Sequence, residues 1–275
     1  MIKNSQSLKD RAKNIATKNG ISVQEVTQNY MFERILERLS VSKYSNNFIL
    51  KGGLLLSSII GIDTRTTMDM DTCIKGLALN ENQIHTILQE ILDINLDDNL
   101  SFKLLNTEPI KEDDEYGGFK FKIMAYFDDM EVNLSIDVAT GDIITPKEIE
   151  YTYKLLFEDR AIRLLTYNLE TIIAEKFQTI ISKNIFNSRM KDYYDLYYLL
   201  TYKTDDISIS TLTQAIKATF EKRETDMSTI SDTLEKIKKS DFLKDLWSAY
   251  SKKFTYANKL KYIDLINKIE VIPYN

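Results

Sequence analysis

The chain has 275 residues and a formal net charge of −5, a length that suits one large domain or two modest ones. A hydrophobic fraction of 43% and a charged fraction of 28% are typical of an ordinary soluble globular protein. The single cysteine, Cys73, excludes an intramolecular disulfide and fits a reducing compartment. Because the N-terminus has no apolar signal core and no run of 18 apolar residues occurs, we expect a cytoplasmic protein without membrane spans.

The charge is unevenly distributed along the chain. Residues 211–275 hold 12 Lys and Arg against 9 Asp and Glu, although the whole chain is acidic. A basic segment of this kind can contact nucleic acid through a patch, and solvated helix faces explain it equally well.

The first 61 residues predict two helices, a strand and a third helix. Helical periodicity covers residues 5–40, interrupted at Gly20, and the second helix places Val23, Val26, Tyr30, Ile35 and Leu39 on one side. The run FILKGGLLLSSIIG then predicts a short strand, a turn at its two glycines and a helix that ends near residue 61.

Glycines 52 and 53 occupy that turn. A tight strand-to-helix turn requires glycine in any case, but glycine also lets backbone N–H groups approach an anion at a helix N-terminus. The sequence contains no GxxxxGK[ST] motif, so this is not a P-loop.

The next segment, residues 61–76, predicts a strand with four polar side chains on one face. Arg65, Thr67, Asp69 and Asp71 alternate with other residues, which would place them about 7 Å apart along that face. A solvated edge strand could carry them without function. Alternatively, Asp69 and Asp71 hold a hard cation such as Mg²⁺, which prefers oxygen ligands.

A helix over residues 80–94 follows, and then strands. Residues 117–127 and 130–139 predict a hairpin that turns at Asp128 and Asp129. Asp137 lies on the polar face of the second strand, alternating with apolar residues. Three carboxylates from two adjacent strands, Asp69, Asp71 and Asp137, would form a compact site for two-metal phosphoryl chemistry.

From residue 168 onward the pattern is almost entirely helical. Lys176 lies within an apolar helical stripe, where an ammonium group is costly unless it reaches water or an anion such as a triphosphate. Asp192 and Asp195 share one face of the next helix. Asp192, near the helix N-terminus, could interact with the helix dipole, orient Lys176 or orient a metal-bound water. We therefore predict an α+β core with N-terminal helices over 1–165 and a helical domain over 166–275.

Other chemistries have little support. The only histidine, His85, lies in an amphipathic helix, so a histidine-based zinc site cannot be assembled. Cys73 is expected to be a small packed residue, and the tyrosine-rich run YYDLYYLL is expected to pack between helices.

The order of these motifs resembles the nucleotidyltransferase superfamily with the polymerase-β-like mixed-sheet fold. More closely, FILKGGLLLSS, RTTMDMD, LETIIAEKF and SRMKDYYDL resemble the four motifs of the AbiE-type (AbiEii) nucleotidyltransferase toxins of type IV toxin–antitoxin and abortive-infection systems. The resemblance spans about residues 8–200. The 15 residues between the second glycine and the first aspartate of the acidic motif are more than in compact superfamily members, which fits the toxin group.

The resemblance implies roles for individual residues. It assigns catalytic roles to Asp69, Asp71, Asp137, Lys176 and Asp192. It assigns nucleotide binding to Gly52, Gly53, Arg65, Thr67, Lys176 and Asp195. It assigns metal binding to Asp69, Asp71 and Asp137, of which Asp137 is not used by all toxin-type members.

The resemblance also implies an activity and partners. Similar toxins use Mg²⁺ or Mn²⁺ to transfer a nucleotide from an NTP to RNA, with tRNA as the leading acceptor, or bind GTP. Their antitoxin represses the operon and forms no lasting complex with the toxin. Three alternatives remain open: a catalytically silent nucleotide- or RNA-binding module, transfer to a protein or small molecule, and, less well supported, a metal nuclease.

Overall fold

The computed structural model describes residues 2–78, 80–110 and 117–274, and the chain divides into two compact units. The first unit comprises Met1–Asp142 and Ile149–Thr166. The second comprises Ile143–Glu148 and Tyr167–Asn275. The α+β class predicted from the sequence is confirmed, because the structure has one mixed sheet of seven strands, and helices precede and follow these strands in the sequence.

The described part of the first unit contains four α-helices, each started or ended by a local signal. They are α1 (Ser5–Asn19), α2 (Val23–Val41), α3 (Gly52–Ile60) and α4 (Glu81–Leu92). Helix α1 ends at Gly20, whose φ of 66° is left-handed, as the sequence predicted. Helix α2 starts with a capping box, in which the Ser22 and Glu25 side chains each bond the other residue's backbone N–H.

The sheet lies entirely in the first unit. Its strands are β1 (Phe48–Lys51), β2 (Met70–Ile74), β3 (Leu100–Pro109), β4 (Gly118–Phe127), β5 (Met130–Ala139), β6 (Ile149–Lys154) and β7 (Ala161–Thr166). Their order across the sheet is β3-β4-β5-β2-β1-β7-β6. The β1–β7 and β2–β5 pairs are parallel, and the other pairs are antiparallel. The predicted β4–β5 hairpin is confirmed, with Asp128 and Asp129 at its turn.

Helix α2 departs from the prediction that it buries one side. Every residue from Val26 to Leu39 is buried, whereas Val23 at its start is 41% exposed. Three of the buried charged groups, Arg34, Glu37 and Arg38, are ion-paired. The Arg38 guanidinium donates to both oxygens of Asp98, at 2.8 and 2.7 Å. Burial raises the pKa of Glu33 to about 8, although its carboxylate accepts a backbone N–H bond.

The described residues of the second unit form helices without a strand. These are α5 (Leu169–Lys183), α6 (Met190–Tyr202), α7 (Ile209–Lys222), α8 (Ile230–Lys239), α9 (Asp241–Lys253) and α10 (Tyr262–Ile269). The apolar stripe of α5 is buried, and α5 packs against α6 and α7. In the tyrosine-rich run, Tyr193 and Tyr194 are buried as expected of packing residues. No helix in the described ranges is long and apolar enough to cross a membrane.

Candidate functional site

The turn between β1 and α3 favours glycine at its first position. Gly52 has a φ of +67°, and a Cβ added to it would lie 1.9 Å from Oδ2 of Asp71. The Gly53 N–H donates to the same oxygen at 3.3 Å, so the first turn of α3 faces the carboxylate on β2. A Cβ on Gly53 would lie 2.7 Å from Oγ1 of Thr67 and 3.4 Å from Nη2 of Arg65. Five of the predicted site residues therefore meet at this turn.

Arg65, Thr67 and Asp69 do not lie on a strand, which corrects the sequence prediction. Strand β2 begins only at Met70, so Asp71 belongs to the strand and the other three belong to the loop before it. The loop is held by side-chain bonds instead of a β-ladder. The Thr66 hydroxyl donates to a Glu25 oxygen on α2 at 2.6 Å, and buried Arg65 donates to the carbonyl of Thr66.

Another side-chain hydrogen bond holds the loop next to Asp69. The hydroxyl of Thr67 donates to the carbonyl of Asp69 at 3.2 Å, within a local turn that a strand would not form. Because these contacts bend the backbone, side chains predicted to alternate along a strand converge on the glycine turn from a loop.

A row of charged residues crosses the sheet on one face. The register pairs Lys51 of β1 with Asp71 of β2, Asp71 with Asp137 of β5, and Asp137 with Lys120 of β4. Paired residues on neighbouring strands project from the same face, and adjacent strands lie about 4.8 Å apart. Two carboxylates are therefore neighbours at the centre of the row, with a lysine at each end.

The two central carboxylates share a strongly polar environment. Burial raises the pKa of Asp137, the Lys120 ammonium opposes this effect, and the charges of Asp71 and Asp69 add to it. Lys120 Nζ lies 2.6 and 2.8 Å from the two oxygens of Asp137. Although burial lowers the pKa of Lys120, the pairing with Asp137 and the nearby carboxylates raise it overall, so the lysine stays charged.

At the other end of the row, Lys51 is also paired. Its Nζ lies 2.5 Å from Oδ2 of Asp142, and that carboxylate side chain is fully buried. The lysine therefore contributes to holding the segment after β5 against the end of β1.

The acidic residues of the first unit fit a hard divalent cation held by two carboxylates. Asp69 and Asp71 are two residues apart, and both act electrostatically on Asp137 and Lys120. Mg²⁺ is commonly held by one or two carboxylates together with substrate phosphates, and Asp69 and Asp71 supply such a pair. The described residues contain no group of three or more His, Cys, Asp or Glu side chains placed to hold a metal ion. The use of Asp137 as a third ligand stays a prediction, since Lys120 engages its carboxylate.

The remaining predicted residues form an ionic cluster within the second unit. The Lys176 ammonium on α5 lies 2.7 Å from Oδ1 of Asp192 and 2.8 Å from Oδ2 of Asp195, both on α6. Arg189 Nε lies 3.1 Å from the other oxygen of Asp192. Burial would raise the pKa of Asp192, but Lys176 and Arg189 hold it below its usual value. The apolar stripe thus contains a lysine that forms ion pairs with two buried carboxylates.

Comparison with known proteins identifies the family. A sequence model described as the nucleotidyl transferase AbiEii toxin of type IV toxin–antitoxin systems matches residues 34–267. This chain belongs to the AbiEii toxin family. The match includes the glycine turn, the acidic loop and the ionic cluster on α5 and α6. No curated protein matches the chain significantly.

Solved structures support the fold of this AbiEii-family chain. A protein of Helicobacter pylori assigned as a nucleotidyltransferase is 15% identical, with a TM-score of 0.52 over 92% of this chain and 94% of that one. JHP933 from Helicobacter pylori is 13% identical, with a TM-score of 0.53 over 91% and 90% of the two chains. At these identities the similarity establishes the fold alone. The predicted family and the nucleotidyltransferase fold are both confirmed.

The sequence analysis missed two lysines at this site of the AbiEii-family chain. Lys120 could have been found, because the hairpin turn at Asp128 and Asp129 fixes the register and pairs it with Asp137. Lys51 gave no such signal, since its partner Asp142 is 91 residues away. The packing prediction for Cys73 holds, because this residue is buried, and His85 on α4 is exposed.

Proposed function

We propose that this toxin transfers a nucleotide from an NTP to RNA, with tRNA as the acceptor, in a Mg²⁺-dependent reaction. The observation that carries the proposal is the contact between the first turn of α3 and Asp71. A helix N-terminus offers N–H groups and a positive dipole end to a phosphate, and a carboxylate at the same place suits a cation that bridges to that phosphate.

The site residues of the first unit have different roles in this proposal. Asp69 and Asp71 would hold Mg²⁺ or Mn²⁺, which when bound offsets negative charge on the triphosphate. The first turn of α3, where the Gly53 N–H bonds Asp71, would lie beside the triphosphate, and Arg65 and Thr67 would line the same turn. Asp137 would accept a proton from the attacking hydroxyl, since burial raises its pKa toward the range of a useful base.

Other parts of the proposal follow from family membership. GTP is the nucleotide we propose to test first, and the proposed place of action is the cytoplasm. A type IV toxin implies a cognate antitoxin, which we propose acts on the operon without a lasting complex with this chain. The contact of Lys176 with a triphosphate, and the roles of Asp192 and Asp195, stay predictions.

The test is incubation of the purified protein with Mg²⁺, total tRNA and each α-labelled NTP in turn. Asp69→Asn removes one proposed metal ligand, and Asp63→Asn, an exposed acid in the same loop, is the matched control. Label on RNA with wild type and Asp63→Asn, but not with Asp69→Asn, supports the proposal. Expression of the same variants should give growth inhibition in the same pattern.

Four other results would contradict it. Retained transfer in folded Asp69→Asn would remove the carboxylates from the mechanism. Nucleotide binding without label on any acceptor would favour a silent binding module, and label on protein or a small molecule would replace RNA as the acceptor. Shortened RNA without incorporated label would instead indicate a nuclease.

A further inference from the structure

A pocket of about 330 Å³ opens beside Asp69 in the first unit. Its size falls at the lower end for small-molecule pockets, which suits one nucleotide. Helix α2, the loop before β2 and the strands β3, β4 and β5 form its wall. The polar residues that line it are Gln28, Asp69, Asn106, Lys122, Asn133 and Ser135.

The pocket continues the sheet face that carries the charged row. The register pairs Asn106 with Lys122 and Lys122 with Ser135. Each of Lys122 and Ser135 lies two residues from a member of the charged row, Lys120 or Asp137. Positions two apart on a strand share a face at about 7 Å. A ligand in the pocket would therefore place one end within reach of Asp137.

Lys122 is the cation of this pocket. Among the described residues its ammonium contacts only the Ser135 hydroxyl, at 3.5 Å, and no carboxylate pairs with it. Lys120, one row away, is instead committed to Asp137. The Lys122 charge is consequently available to an anionic group such as a phosphate.

Gln28 supplies an acceptor without a donor. Gln28 is only 5% exposed, and its side-chain Nε2 donates to the backbone carbonyl of Asn133 at 2.8 Å. Because a carbonyl can only accept, the orientation of the amide is fixed. Oε1 is then left buried, without a hydrogen-bond partner among the described residues. A buried unsatisfied acceptor is costly, and a ligand N–H or O–H would satisfy it.

We infer that this pocket binds the terminal nucleotide of the RNA acceptor, with its phosphate at Lys122 and a base or ribose donor at Gln28. The inference rests on the proposed function. The glycine turn that would receive the donor triphosphate lies on the β1 side of Asp71, whereas the pocket lies on the β5, β4 and β3 side. Phosphoryl transfer places the attacking and leaving oxygens roughly in line, so donor and acceptor approach from opposite sides.

With the acceptor in this position, the reaction is a displacement at the α-phosphorus of the NTP. The terminal hydroxyl oxygen of the RNA forms a bond to the α-phosphorus of the NTP. The bond between that phosphorus and the pyrophosphate oxygen breaks, and pyrophosphate leaves with the electron pair. The hydroxyl proton passes to the carboxylate of Asp137, which is the base in the proposed function.

Steady-state kinetics with total tRNA and the NTP test the assignment. Lys122→Ala removes the free charge, and Asn106→Asp places a negative charge on an exposed position of the pocket rim. Lys103→Ala, an exposed lysine on the same strand β3 but outside the pocket, is the matched control. Both pocket variants should raise KM for tRNA roughly tenfold, the loss of about one charge-assisted hydrogen bond, without changing KM for the NTP. A raised KM for the NTP alone would assign the pocket to the donor and overturn the inference.

A binding measurement separates this inference from the proposed function. Fluorescence anisotropy of a labelled single-stranded RNA oligonucleotide, without NTP, reports the pocket even if wild type transfers no nucleotide. Weaker binding by Lys122→Ala and Asn106→Asp, but not by Lys103→Ala, supports the pocket whatever the transfer assay shows. Equal binding by all four proteins refutes it, provided that thermal melts show folded variants.

Discussion

Replacing Gly52 with alanine should destabilise the protein for two reasons that the structure separates. The residue has a φ of +67°, and a left-handed conformation costs an alanine about 1 kcal/mol or slightly more. The new methyl carbon would also lie 1.9 Å from Oδ2 of Asp71, so that side chain must move. Its movement breaks the hydrogen bond from the Gly53 N–H to the carboxylate, which is 3.3 Å long. Because the acceptor is charged, this bond contributes about 1 to 2 kcal/mol. The expected total is about 2 to 3 kcal/mol.

A second glycine provides the control for backbone strain alone. Gly141 has a φ of +85°, and a Cβ added there would meet nothing within 4 Å. Gly141→Ala should therefore cost only the conformational term of about 1 kcal/mol. The free energy of unfolding of wild type and both variants is measured by urea titration, and the difference between the two variants reports the contact with Asp71.

Equal losses for Gly52→Ala and Gly141→Ala would refute the reasoning, because the close approach to Asp71 would then have no energetic effect. A third variant strengthens the comparison. Gly52→Ala combined with Asp71→Ala removes the carboxylate that the methyl group meets, so the double variant should lose less stability than the sum of the two single changes.

Three further measurements test the electrostatics. Because burial raises the pKa of Glu33 to about 8 from 4.5, the folded protein holds a proton that the unfolded chain releases between these values. The free energy of unfolding should therefore fall as the pH rises from about 4.5 to 8, and Glu33→Gln should flatten this part of the profile. Lys176→Met should cost about 3 to 5 kcal/mol, because it removes the cation that the buried carboxylates of Asp192 and Asp195 share, although Arg189 still pairs with Asp192. Cys73, a buried thiol whose pKa is raised to about 12, should react with a thiol reagent far more slowly in the folded protein than in urea.

Each of these has a control or a contrary outcome. A Glu33→Gln profile as steep as that of wild type would show that other groups cause the fall in stability. Adding Asp192→Asn and Asp195→Asn to Lys176→Met should recover part of the lost stability, and no recovery would show that lost packing caused the effect. Equal reaction rates of Cys73 in buffer and in urea would contradict its burial.

The sequence by itself determined the elements whose signals are local. Gly20 ends α1, the two glycines after β1 open α3, and the acidic pair Asp128 and Asp129 turns the β4–β5 hairpin. In each case a residue within a few positions sets the backbone conformation, so the local sequence is enough to predict the element. The motif residues were found in the same way, because their spacing and their resemblance to a family require no contact map.

The tertiary structure alone decided where β2 starts and how far α2 is buried. The sequence alternation from Arg65 to Asp71 is a strand pattern, yet Thr66 bonds Glu25, 41 residues earlier, and the chain stays in a loop until Met70. Helix α2 reads as amphipathic, yet its charged side chains find partners such as Asp98, 60 residues away, and can be buried. Bonds between distant residues overrode local propensity in both places, since a paired charge or a satisfied hydroxyl no longer requires water.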